Sequence, residues 1–131
     1  MRKARDNRTA CSRVAPDALT GTPLVAIVTN ESVQSLGLAP GVEAHALIKA
    51  SFVILATEDG WLKTSARNRL CGTVERVIDG AVNSEVVLAL EGGARLTAII
   101  TMDSVRGLGL IEGGRACALI KAPHVILAVR D

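Results

Sequence analysis

Two lysines stand inside otherwise apolar stretches, Lys49 in Ala46-Leu47-Ile48-Lys49-Ala50 and Lys121 in Ala118-Leu119-Ile120-Lys121-Ala122. An ammonium at such a place can snorkel to solvent on its apolar stem, or it can supply charge to a bound anion. For a lone lysine the first reading is preferred. Here both lysines occupy one position of a repeat: sliding residues 26–56 by 72 places onto 98–128 matches 19 of 31 residues, Leu36-Gly37-Leu38 with Leu108-Gly109-Leu110 among them. That is a tandem duplication, and the recurrence of a charge at one place in both copies turns the balance toward anion binding.

The units that must hold these lysines are about 70 residues long, half of the 131-residue chain. A unit of that size is marginal alone and gains stability by packing on a sister module or on other subunits, so an oligomer is expected. Hydrophobic residues make up 49% of the chain but aromatic ones only 2%. The core is therefore built from Val, Ile, Leu and Ala, which suits thin β-layers. In the second unit strands are predicted over 70–78, 84–90 and 95–101, joined by turns at Asp79-Gly80 and Glu91-Gly92-Gly93. A short helix over 103–108 follows, capped by Thr101 or Asp103 and closed by Gly109. Strands over 116–122 and 124–129, both expected to be buried on two faces, complete the unit. The first unit repeats the later part of this plan with strand 24–29, helix 30–36 and strands 44–50 and 52–57, but its beginning does not match. Residues 1–20 read as a divergent, disordered N-terminus carrying Arg2, Lys3, Arg5, Arg8 and Arg13. Residues 21–64 form the incomplete first repeat and its linker, and 65–131 the second. The fold class is all-β, with two OB-like five-stranded barrel modules, each holding one short helix.

Several function classes are excluded or disfavoured. A net charge of +2 gives no global field to gather nucleic acid or membrane surface. The basic start is not followed by an apolar stretch that reads as a signal peptide, and no run approaches spanning length, so a cytoplasmic location is expected. Cys11, Cys71 and Cys117 are odd in number and far apart, which indicates neither disulfides nor zinc. His45 and His124 have no partner at ligand spacing and read as strand residues. Carboxylates are scattered without an acid/base pair, so no enzyme activity is expected.

Ser65-Ala66-Arg67-Asn68, Gly72-Thr73-Val74, Gly80-Ala81-Val82-Asn83-Ser84-Glu85-Val86, the Leu-Gly-Leu helix exit and Ile120-Lys121-Ala122 occur in an order that resembles a molbindin (Mop, or TOBE-type) domain. The likeness covers residues 65–129 closely and 22–57 as a second, incomplete copy. It implies binding of molybdate or tungstate without an organic cofactor, by modules assembled into a homo-oligomer, a trimer of two-module chains. It implies no catalysis and no membrane or nucleic-acid partner. Carried over residue by residue, it points to Ser65, Ala66, Arg67 and Asn68 meeting Lys49, Ala50 and Ser51 of a neighbouring module in one kind of oxyanion site, with Lys121 and Ala122 as the second repeat's counterpart. Ala81, Val82 and Asn83 are implied to line a second kind between subunits.

The residue chemistry agrees. A tetrahedral dianion needs donors on all sides. Ser51, Ser65 and Asn83 offer neutral ones, Lys49 offers charge, and small Ala50, Ala66 and Ala81 let backbone N–H groups approach. Each also has a duller reading: Ser65 and Asn68 as turn or capping residues, Arg67 as a solvated charge, and Gly80 with Asn83 as ordinary turn residues. If leading strands are exchanged between modules, the Lys121 pocket lacks its serine-arginine half, and Pro123 in place of Ser51 removes a hydroxyl and an N–H. That pocket is then expected to bind weakly. Two further functions stay open: a ligand-sensing module of a molybdate-responsive regulator or importer, and an OB-type nucleic-acid binder, which the scarcity of stacking aromatics disfavours.

Overall fold

The β-branched runs of the second repeat form a curled sheet. The computed structural model describes residues 9–12, 24–58 and 63–130. The strands, in chain order, are β1 (Thr9–Ser12), β2 (Leu24–Ile27), β3 (His45–Ile48), β4 (Ile54–Ala56), β5 (Asn68–Asp79), β6 (Asn83–Leu90), β7 (Arg95–Thr101), β8 (Arg115–Ile120) and β9 (Val125–Ala128). Helix α1 (Asn30–Leu36) follows β2 and α2 (Met102–Leu108) follows β7. The largest sheet runs β4-β8-β5-β6-β7, beside the two-stranded pairs β1-β2 and β3-β9. Long β5 serves two neighbours in turn: residues 68–73 pair with β8, and residues 72–79 with β6. A register shift between Val74 and Arg76 bends it there, and bonds from Val74 N–H to Gly114 O (2.7 Å) and from Gly113 N–H to Val74 O (2.8 Å) close the curl.

The repeat of the sequence is also a symmetry of the fold. Leu47 of β3 faces Ile126 of β9, and Leu119 of β8 faces Ile54 of β4, so each pair is the other shifted by 72 places. The modules therefore exchange their trailing strands, β4 and β9, where the sequence reading expected their leading ones. This exchange merges the two apolar cores, with Leu24, Ala26, Val53 and Leu55 of the first repeat joining Val74, Val86, Leu88 and Ile120 of the second. Two small modules thus gain a shared core that neither could build alone.

The helices are cut by identical chemistry. Thr29 Oγ1 accepts from Ser32 N–H and Thr101 Oγ1 from Ser104 N–H, while Gly37 and Gly109 end them at φ 67° and 65°. Loss of the second cap in Thr101→Ala should cost about 1 kcal/mol, read as a lower urea midpoint with an unchanged slope.

Three expectations change. The sequence reading made residues 1–20 disordered, but β1 pairs with β2; the remainder of that stretch, like the Asp59-Gly60 turn, lies outside the described residues. Strand β9 is not buried on both faces, since its residues alternate and Ile126 is 58% exposed. Short 3-10 turns, Ala50–Phe52 and Ala122–His124, replace the starts of the strands expected at 52 and 124. Among the described residues β3 pairs on one edge only, whereas its counterpart β8 lies between β4 and β5. The cost is visible in burial: Cys117, Ala118 and Ile120 are fully buried, but His45, Ala46 and Ile48 only in part, and Leu47 is 53% exposed.

Candidate oxyanion site

Asn68 organises the first candidate site. It opens β5, is 2% exposed, and uses its whole carboxamide: Oδ1 accepts Val25 N–H (2.7 Å), while Nδ2 donates to Val25 O (2.8 Å) and Ile120 O (3.2 Å). The start of β5 is thereby pinned to β2 of the first repeat and to the end of β8. Asn68 is a bracket between modules, not the turn residue of the duller reading. From this anchor the chain leads back through exposed Arg67, half-buried Ala66 and exposed Ser65. Ala66 N–H is held by Thr64 Oγ1 at 3.2 Å. At the same end β8 passes from Ile120 into exposed Lys121 and buried Ala122.

The pairing within one chain therefore brings Ser65–Asn68 to Lys121 and Ala122. Among the described residues no hydrogen bond or ion pair joins that segment to Lys49, Ala50 and Ser51 within one chain. The ladder pairs β5 with β8 of its own repeat from Asn68 onward, and among the described strands the trailing ones, β4 and β9, cross over. The turn Ala50–Phe52 instead packs on β7, and its mate Ala122–His124 on β2. Phe52 and His124, equivalent by the 72-residue shift, stack with centroids 4.4 Å apart and so mark the pseudo-two-fold axis. Lys49 Nζ lies 5.2 Å from the Phe52 ring centroid, a cation-π contact on an exposed side chain. His124 Nδ1 is buried without a hydrogen-bond partner among the described residues, as befits a ring used for stacking.

The second candidate region lies at the far end of β5. Gly80 N–H donates to Asn83 O (2.8 Å), closing the turn, and Val82 O accepts from Met102 N–H at the head of α2 (3.0 Å). Ala81, Val82 and Asn83 are exposed, Val82 by 71%.

The cysteines overturn the expectation of no disulfide. Register places Cys71 of β5 directly opposite Cys117 of β8, and the two are bonded. Their separation of 46 residues hid a pairing that only the ladder creates. Arg69 Nη2 donates to Cys117 Sγ (3.4 Å), and Glu58 stands close by, with ligand atoms of Glu58, Cys71 and Cys117 within 4.8 Å of one another. Glu58 is held by Arg115 through Nη2 (2.7 Å) and Nε (3.1 Å), and hydrogen bonding to that guanidinium keeps its carboxyl below the ordinary carboxylate range. Val25, Ile120 and Arg69 were missed by sequence reasoning. The first two act through backbone atoms, and Arg69 acts through a guanidinium whose partner is supplied only by strand register, so no spacing in the sequence marks them.

The TOBE domain model matches residues 10–55 and 64–127. The chain belongs to the TOBE-domain family. The two matched segments fit a tandem TOBE chain, as the repeat and the pseudo-two-fold require. Relatives include the molybdenum-pterin-binding protein MopA of Rhodobacter capsulatus, 51% identical over 113 residues, which cover 86% of this chain and 43% of that protein. The molybdenum transport protein ModE of Azotobacter vinelandii is 47% identical over 106 residues, 81% of this chain and 39% of that one. The chain thus spans about two fifths of the length of these curated relatives. Among solved structures, the cytoplasmic molybdate-binding protein ModG with molybdate bound superposes with a TM-score of 0.81 at 49% identity, over 84% of this chain and 78% of that one. The curled five-stranded sheet and the tandem arrangement agree with that OB-like fold over the superposed residues. No helix among the described residues is long and apolar enough to cross a membrane.

Proposed function

We propose that this chain binds molybdate, with tungstate as a competitor of equal charge, at seams between its TOBE modules in the cytoplasm. The observation that carries the reading is the Asn68 bracket, which fixes Ser65, Ala66 and Arg67 at the strand end where Lys121 and Ala122 emerge. The Ser65 hydroxyl, the Arg67 guanidinium, the Lys121 ammonium and strand-end N–H groups are the kinds of donor an oxyanion requires, and we assign them to it. The solved ModG structure, half identical in sequence, carries molybdate. Lys49, Ala50 and Ser51 complete a pocket of the same kind when a neighbouring copy presents them, and Ala81, Val82 and Asn83 border the second kind between copies. A trimer of two-module chains supplies both. The role is storage and buffering of the ion, with no organic cofactor and no turnover.

Native mass spectrometry with molybdate, tungstate and sulfate added in turn reads subunit number and bound ions together. Arg67→Ala and Lys121→Ala should each lower molybdate affinity about 10- to 100-fold, the worth of one lost charge-assisted hydrogen bond. Full occupancy in both variants would place the ion elsewhere. A second reading, a sensing module of a molybdate-responsive regulator, draws support from the ModE match. A scattering profile that changes on molybdate addition favours sensing; several bound ions with an unchanged profile favour storage.

A further inference from the structure

We propose that the Cys71–Cys117 bridge is a thiol-exchange site, entered at Cys71 by a small-molecule thiol and released through Cys117. The two sulfurs differ in surroundings. Cys117 is fully buried in β8, while Cys71 is partly exposed on β5, so an incoming thiol reaches Cys71 first. Arg69 sits two residues before Cys71 on β5, opposite Leu119, and its guanidinium donates to Cys117 Sγ at 3.4 Å. A positive hydrogen-bond donor beside a sulfur stabilises that sulfur as a thiolate and makes it the better leaving group. Glu58, with a carboxylate oxygen within 4.8 Å of both sulfurs, opposes this only in part, because Arg115 offsets its charge through two bonds.

The chemistry balances. An external thiolate attacks Cys71 Sγ; the new bond joins Cys71 to the incoming sulfur, the Cys71–Cys117 bond breaks, and its electron pair leaves on Cys117 Sγ beside Arg69. A second thiolate attacks the incoming sulfur of the mixed disulfide and expels Cys71 as thiolate. Two external thiols are oxidised to one disulfide, and the protein gains two thiols, taking up the two protons those thiols release. Run backward, the Cys117 thiolate resolves an adduct at Cys71 and restores the bridge. The bridge lies three residues from Asn68 on β5 and three from Ile120 on β8, so opening it loosens the ladder beneath the Asn68 bracket. Conditions rich in small thiols open it and oxidising ones close it.

The test uses the full chain carrying Cys11→Ser, so that only the bridge cysteines report, with reduced glutathione as the probe. After acid quench and alkylation, peptide mapping should find glutathione on Cys71 with alkylated Cys117. Arg69→Gln should slow the loss of the bridge about tenfold, and Arg69→Lys should restore most of the rate, because a lower leaving-thiol pKa speeds departure. Amide exchange across residues 65–70 should rise on reduction. The proposal is overturned by two free thiols in protein isolated under air, by adducts divided evenly between Cys71 and Cys117, or by equal rates in wild type and Arg69→Gln. None of these readouts requires an oxyanion, so failure here and failure of the molybdate reading are told apart.

Discussion

Gly72→Ala is expected to cost about 3 kcal/mol or more of stability, a large share of what a small domain possesses. Gly72 is the residue at which β5 is shared, paired at once with Leu90 of β6 and Ala116 of β8. A Cβ there would collide with the Ala89 carbonyl oxygen and lie 2.9 Å from the Ala89 carbonyl carbon and 3.1 Å from Leu90 Cα. All three are backbone atoms of the adjacent strand and cannot rotate aside, so β5 and β6 must part. The contrasting variant is Gly107→Ala. Gly107 lies inside α2 with nothing within 4 Å of the added carbon, and relief of glycine's entropy cost there should raise stability by about 0.5–1 kcal/mol. Urea titrations of both variants read opposite shifts in midpoint. An unmoved midpoint for Gly72→Ala would mean that β5 and β6 do not approach as described.

Asn68→Ala should cost about 2–4 kcal/mol. The substitution removes three hydrogen bonds and leaves Val25 N–H, Val25 O and Ile120 O without their partner in a partly dry setting, where each stranded group is expensive. Asn68→Asp is no remedy, because it replaces the Nδ2 donor with an oxygen that faces two carbonyl oxygens. The loss should be local first, with faster amide exchange at Val25 and across the start of β5. Arg67→Ala offers the internal contrast: Arg67 is exposed, so its loss should lower ion binding and leave the urea midpoint nearly unchanged. If Asn68→Ala and Arg67→Ala proved equally stable, Asn68 would be no bracket.

Pattern along the chain determined a good deal. The duplication, the all-β class, the sites of the two helices and their caps at Thr29, Thr101, Gly37 and Gly109 follow from local chemistry acting over a few residues, and strand β7 lies over the residues that alternation predicted. The residue types that could serve an anion were legible in the same way, because donors and small neighbours occur in short runs. What tertiary structure alone decided is which runs meet. Whether β5 pairs with β3 or with β8 depends on which strands cross between modules, and a 72-residue repeat makes both choices equal in sequence. The ladder chose β8 for β5 and sent β4 and β9 across. Cys71 meeting Cys117, Asn68 reaching Val25, and Phe52 stacking on His124 arise from the same choice. Such contacts join residues 43 to 72 positions apart, and their partners are set by strand register, a collective property of the folded sheet that no single segment encodes.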